Sequence, residues 1–231
     1  MTSTAHHPST DLLLSYSAGT ASPSHALCVA THLEFCQSCR SAHQRNNAIG
    51  GKLIDTLADN KPVEVSANLR SQVFNMLDKR SEAIATDIPP EHAADKAKVS
   101  AIPRALRRLI PKGFNSLDWQ MVSATAKSCG LFTDDSGTKI GLLKLKPGGR
   151  IAKHDHLGKE YTVVLTGAFS DEDGVYRAGD FLLRDAKDAH SPVATRDAEC
   201  ICLTLQEAPL QFTGWFFKWL NPWVRNQFQA T

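Results

Sequence analysis

The chain has 231 residues, 42% hydrophobic and 22% charged, with 26 Lys and Arg against 24 Asp and Glu. That is the composition of a globular protein of one or two domains. The near-balance of charge leaves no broad basic footprint for direct nucleic acid binding, and no apolar run approaches the ~20 residues of a membrane span. The opening MTSTAHHPSTDLLLSYSAG lacks a basic stretch followed by a long apolar core, so no secretory signal is expected. Six cysteines do not make a disulfide framework in a chain this long. Their proximity to histidines points instead to metal binding in a reducing, cytoplasmic compartment.

In chain order, Ser9 or Thr10 caps a short helix, Asp11 to Ala18, which Gly19 ends. Ser22-Pro23 opens a second helix, with Ser as the cap and Pro at the first helical position. This helix is expected to run to about His43, and it carries THLEFCQSCR. There His32, Cys36 and Cys39 stand at i, i+4 and i+7, within about 60° of one another on a helix. Thiolate and imidazole are the ligands zinc prefers, and zinc takes four in a tetrahedron. One stripe supplies three, so the fourth must arrive from another segment, which the metal then pins. The alternative is an amphipathic helix whose cysteines are small buried hydrophobes; the ligand spacing favours metal.

The candidates for the fourth ligand are His6, His7, His25, Cys28 and His43. Cys28 would stand ~16 Å from Cys39 along the axis, too far to share one ion. His43 has a similar problem and lies off the stripe. His6 and His7 precede the first helix and are free to fold across onto the second.

Gly50-Gly51 is expected to interrupt the helical pattern, with a short third helix over about Leu53 to Leu57. Ser66 caps a fourth helix, on which Leu69, Val73, Met76, Leu77, Arg80 and Ile84 recur at helical spacing. Its apolar face either packs on the other three helices or captures a partner, and one helix can do both. From Thr86 to Val99 the composition turns small and charged around Pro89-Pro90, a linker. Arg104, Arg107, Arg108 and Lys112 follow without interleaved aromatics and make a solvated face.

From Trp119 onward the period changes to two. TKIGLLKLK, EYTVVLTG, DFLLRDA and CICLTLQ read as strands, with turns at Gly148-Gly149 and Asp171 to Gly174. Several short strands with turn signals imply a barrel or sandwich. This β region holds a second constellation. His154 and His156, two apart, point to one face of a strand, Glu160 follows, and His190 comes after DFLLRDA. Three imidazoles and a carboxylate suit a hard-to-borderline metal. Cys200 and Cys202 share a strand face and either fill a core or respond to oxidant. In the tail GWFFKWLNPWVRNQF, Trp215, Phe216, Trp219 and Trp223 form an aromatic stripe. That stripe packs on the β region or lies on a membrane surface.

Gly148, His154, His156, Glu160 and Gly167 fit G-x5-H-x-H-x3-E-x6-G, which resembles the first cupin motif. Gly179-Asp180 followed by His190-x-Pro192 is similar to the second, although Arg-Ala-Gly stands where the family usually has Pro-x-Gly. His32, Cys36 and Cys39 resemble the H-x3-C-x2-C of zinc-binding anti-sigma domains. The two in this order resemble the ChrR-type anti-sigma factors over nearly the whole chain. The resemblance implies that the fourth ligand of the first site is His7 and that zinc occupies both sites. It implies a partner, an extracytoplasmic-function sigma factor, and a response to singlet oxygen or related oxidants.

The resulting expectation is an α+β multidomain protein, not an enzyme. Residues 1–85 form a four-helix zinc-binding anti-sigma domain, 86–99 a linker, 100–210 an all-β cupin barrel and 211–231 an aromatic tail. Leu69, Val73, Met76, Leu77 and Ile84 would bind the sigma factor. The competing class is a metal-dependent cupin enzyme of dioxygenase type with a helical interaction domain. Four-coordinate zinc would argue for regulation, and a metal with open positions for catalysis.

Overall fold

The computed structural model describes residues 4–57, 66–86, 102–186, 188–213, 219, 221–222 and 228, with backbone alone at 67 and 78–86. Helix α1 spans Thr10–Ser17; the Ser9 hydroxyl accepts from the Leu12 N–H, and Gly19 follows the helix at φ +71°. Helix α2 spans Pro23–Phe35 behind the Ser22 cap.

The second helix does not continue to His43 as the sequence suggested. It stops at Cys36, whose backbone is extended at φ −100° and ψ 108°, and helix α3 starts afresh over Gln37–Leu57. Arg40 explains how the break is tolerated. Its Nη1 donates to the carbonyls of Leu33 at 2.6 Å and Glu34 at 3.2 Å, groups at the end of α2 that have no partner within the helix. Gly50 and Gly51 lie inside α3 rather than ending it, and Leu53 to Leu57 form its last turns. Glycine in a helix costs only ~1 kcal/mol, which the residues around it outweigh. Helix α4 spans Ala67–Thr86. From residue 87 the expected linker lies outside the described residues.

The β region holds eleven strands among the described residues. One antiparallel sheet of six runs in the order β1 (Gln120–Met121), β2 (Ala126–Thr133), β3 (Lys139–Leu145), β10 (Cys200–Gln206), β5 (Glu160–Thr166) and β8 (Phe181–Arg184). Strands β4 (His154–His156) and β11 (Leu210–Phe212) pair separately. So do β7 (Val175–Arg177), β6 (Ala168–Ser170) and β9 (Val193–Ala194). The expected closed barrel is therefore not formed. Closure needs a continuous hydrogen-bonded ladder. Here the outer strands are two or three residues long, and isolated bridges, Arg150 to Val193 and His154 to His190, take its place.

The middle strand β10 is buried on both faces, which is why CICLTLQ is almost continuously apolar. Cys200 and Cys202 turn toward the small sheets, in a core with Phe169, Tyr176 and Leu182. Ile201, Leu203 and Leu205 turn the other way, into a core with Val29 and Leu33 of α2. Ile102, Leu106 and Ile110 wedge into that same core, each nearly or fully buried. Helices and sheet thus share one apolar interior, while Arg104, Arg107, Arg108 and Lys112 stay exposed.

Candidate metal centres

His7, His32, Cys36 and Cys39 converge, with one donor atom from each lying within 4.8 Å of all the others. The extended backbone at Cys36 is what brings the two thiols together, rather than a single helix stripe. Cys36 Sγ and Cys39 Sγ each lie 3.4 Å from His7 Nδ1, and the Cys39 N–H donates to Cys36 Sγ. His32 Nδ1 lies 2.7 Å from the Gly179 carbonyl, which only accepts, so that nitrogen carries the proton. The opposite atom, His32 Nε2, is then a lone pair with no hydrogen-bond partner in a fully buried side chain. A buried acceptor left alone is costly unless a cation meets it. Burial, aided by nearby His7, holds the His32 pKa down at about 4, so the ring is neutral and free to ligate. Burial works to raise the Cys36 thiol, but hydrogen bonds from Thr4, Cys39 and Ser38 outweigh it and lower its pKa. Burial and the neighbouring Cys36 push Cys39 up to about 12.

The other candidates for this site lie elsewhere. Cys28 is buried in the core, with its thiol pushed up by burial. His43 shares a hydrogen bond with Ser17, and His25 sits against the Ser22 hydroxyl and Glu207. His6 stacks edge-on against Tyr176 at 4.8 Å.

His154, His156, Glu160 and His190 form the second buried cluster. His154 and His156 are alternate residues of β4, Glu160 opens β5, and His190 is bridged backbone to backbone with His154. His190 Nε2 lies 3.1 Å from His154 Nε2 and 3.3 Å from His156 Nε2. His154 Nδ1 donates to the Ala152 carbonyl, and His190 Nδ1 to Asp171 Oδ2 at 3.2 Å. Both facing Nε2 atoms are therefore lone pairs, pointed at each other. That arrangement is repulsive alone and suits a shared cation. Burial lowers the pKa of all three rings, His190 to about 4, and keeps them neutral. Burial also raises Glu160, opposed by His154 and by the Gln206 amide at 2.9 Å. An apolar cavity of about 280 Å³ opens beside the cluster, lined by His154, Glu160 and His190 together with Leu142, Cys202 and Phe212.

Cys200 Sγ and Cys202 Sγ lie 3.7 Å apart, both reduced and buried; contact with Cys200 and burial raise the Cys202 thiol far above its usual value. On α4, Leu69, Val73, Met76 and Leu77 are exposed, while the side chain of Ile84 lies outside the described residues. The sequence reading placed a short helix over Leu53 to Leu57 but missed its continuity with α3 and the apolar face it makes there, where Ile49, Leu53, Ile54 and Leu57 are all exposed, Ile54 at 70%. Helical spacing through the two glycines was the signal that would have found them. It also missed the partners behind the ligands, Gly179, Asp171 and Gln206, which no local spacing reveals. Of the aromatic tail, Trp219 is exposed, and Trp215, Phe216 and Trp223 lie outside the described residues.

Comparison with known proteins adds a further observation. Residues 112–209 match the ChrR cupin-like domain family. Over 221 residues the chain is 35% identical to the anti-sigma-E factor ChrR of Cereibacter sphaeroides, covering 95% of this chain and 98% of that protein. The chain belongs to the ChrR-type anti-sigma factors. A solved structure of Rhodobacter sphaeroides SigE in complex with the anti-sigma ChrR superposes with a TM-score of 0.66 at 30% identity, over 87% of this chain and 98% of the matched one. In this ChrR-type chain no helix among the described residues is long and apolar enough to cross a membrane.

Proposed function

We propose that this chain is a cytoplasmic anti-sigma factor that sequesters an extracytoplasmic-function sigma factor and releases it under singlet oxygen or a related oxidant. The single observation that carries this is the end-to-end match to ChrR, supported by exposed apolar faces on two helices. Leu69, Val73, Met76, Leu77 and Ile84 of α4 bind the sigma factor in this reading, joined by Ile49, Leu53 and Ile54 of α3. Apolar helix faces laid into a partner's grooves are a common mode of capture. The sigma surfaces needed by RNA polymerase are then covered, and inhibition is by occlusion.

Zinc is the metal proposed for both centres, held by His7, His32, Cys36 and Cys39 in the first and by His154, His156, Glu160 and His190 in the second. The S2N2 donor set of the first suits zinc best. Bound there, zinc supplies folding energy by tying the segment before α1 to the α2–α3 junction. Residues 1–85 carry capture in this division, 100–210 carry sensing, 86–99 link them, and 211–231 remain a tail of unassigned role. Cys200 and Cys202 are the redox candidates, on the strength of their 3.7 Å separation beside the second centre.

The cavity beside the second cluster favours a second reading, a metal-dependent enzyme of dioxygenase type, because it leaves one side of the cluster open to a small molecule. Metal analysis and a sigma-dependent reporter separate the two. Expression of the chain should silence the reporter, and singlet oxygen should restore it. A chain that leaves the reporter fully active while holding iron or manganese at the second centre would be an enzyme instead.

A further inference from the structure

Two of the four side chains at the first centre are oriented by groups of the β region. The segment Thr4–His7, which brings His7 to the site, lies against the corner between β7 and β8. The Ala5 and His6 N–H groups both donate to Asp180 Oδ1, at 2.8 and 3.2 Å. The Phe181 N–H donates to the His6 carbonyl at 3.1 Å. Asp180 Oδ2 accepts from the Arg177 N–H at 2.8 Å, which fixes the carboxylate, and the residue is 3% exposed. Beside it, the Gly179 carbonyl orients the His32 ring so that Nε2 faces the other donors. Gly179 has φ +97°, and a Cβ there would stand 2.6 Å from both Phe35 Cβ and Thr4 Cγ2. Only glycine lets the corner come this close.

From this geometry we infer that the corner Gly179–Asp180–Phe181 is the outer shell of the His/Cys centre, with Asp180 and Gly179 as positioning residues that set its metal affinity. The inference rests on the reading that the four side chains hold a divalent cation. Cys36 and Cys39 are carried by the α2–α3 junction itself. His32 takes its ring orientation from Gly179, and His7 takes its backbone position from Asp180. Without the carboxylate, two N–H groups lose their acceptor, and the segment bearing His7 is held less firmly, keeping the bond from the Phe181 N–H to the His6 carbonyl. Partners behind metal ligands are worth roughly ten- to a hundredfold in affinity. The β region thereby acts on the first centre directly, through hydrogen bonds rather than through the linker.

The test uses the full chain loaded with cobalt(II) in competition with a chelator. Thiolate-to-cobalt charge transfer reports the first centre alone, because the second cluster contains no cysteine. Asp180→Ala should weaken cobalt at that band roughly ten- to a hundredfold, while the second centre keeps its full share of metal. Asp180→Asn keeps one oxygen acceptor but loses the charge, so its loss should be smaller, yet measurable. If either folded variant held cobalt at the thiolate band as tightly as the unaltered chain, the inference would be wrong. Equal weakening at both centres, in step with loss of helical signal, would also overturn it, since that is the mark of general unfolding. An unaltered chain with no thiolate band at all would instead remove the metal reading of the cluster.

Discussion

At the scale of single residues, His32 at the first centre and His154 and His190 at the second are fixed in one tautomer by the acceptors behind them. Cys36→Ser or Cys39→Ser should abolish zinc binding at the first centre and, with it, sigma binding. A zinc-free, folded variant that still inhibited fully would refute this. His7→Ala should behave like the cysteine variants and His6→Ala should be mild, because the His6 hydrogen bonds to the corner come from its backbone N–H and carbonyl. At the second centre, Asp171 fixes His190 while also accepting from Tyr176 Oη at 3.1 Å and Arg184 Nη2 at 2.7 Å. Asp171→Asn should loosen metal there by roughly tenfold or more, read by competition with a chelator, and leave the first centre intact. For Cys200 and Cys202 the raised Cys202 thiol works against easy oxidation, since the thiolate is the reactive form. If they sense oxidant all the same, the double serine variant should keep sigma sequestered under stress. An unchanged response would return them to the core.

At the scale of elements, the exposed faces of α3 and α4 permit a clean test, because their residues are not needed for packing. Ile54→Asp should leave the melting temperature within about 2 °C, as exposed changes usually cost under 0.5 kcal/mol. It should weaken sigma binding by about thirtyfold if Ile54 is a hot spot worth ~2 kcal/mol. Retention of full affinity by Ile54→Asp and Met76→Asp together would move the interface elsewhere. The elements also show what a sequence yields and what it withholds. Strands β3, β5, β8 and β10 were legible because short apolar, β-branched runs bounded by turn signals are local, and His154 and His156 share a face because a strand has period two. The spacing of His32, Cys36 and Cys39 announced a site but not its geometry. The helix breaks at Cys36, and the Arg40 side chain that closes the break acts across six or seven residues. Strand β2 was not foreseen, with Gly130 inside AKSCGLFT blurring its pattern. Whether short strands close into a barrel depends on pairing between distant segments, which periodicity does not encode.

At the scale of the whole molecule, the sequence suggested two units joined by a linker, and the apolar interior runs across both. Val29 and Leu33 of α2 pack in one core with Val163, Phe181, Ile201, Leu203 and Leu205 of the sheet. Burying each such side chain is worth ~1.5–3 kcal/mol, so together they bind the two halves more strongly than any surface pair. Helices and sheet should then melt as one. Leu203→Ala removes a fully buried side chain on the sheet and should cost ~2–5 kcal/mol. In a chain of this size that lowers the melting point by roughly 5–15 °C. The helical circular dichroism and the near-ultraviolet signal of the sheet aromatics should fall together, in a single transition. The same core bears on release. A chain cut at about residue 90 keeps the four donors of the first centre and the exposed helix faces but loses Gly179 and Asp180, so it should hold zinc more weakly than the full chain and, once loaded, still capture sigma. It also uncovers Cys28, Val29 and Leu33, so it should be less stable than the full chain and need its partner to stay soluble. Having lost the sheet, it should no longer let go under oxidant, because release requires a signal that favours the unbound state and the second centre is where that signal is proposed to act. His154→Ala in the full chain should behave likewise while preserving inhibition. Were the truncated chain to release sigma normally in a singlet-oxygen reporter assay, sensing would belong to the His/Cys centre. Were Leu203→Ala to leave a helical transition unmoved, the shared core would be a contact between independent units.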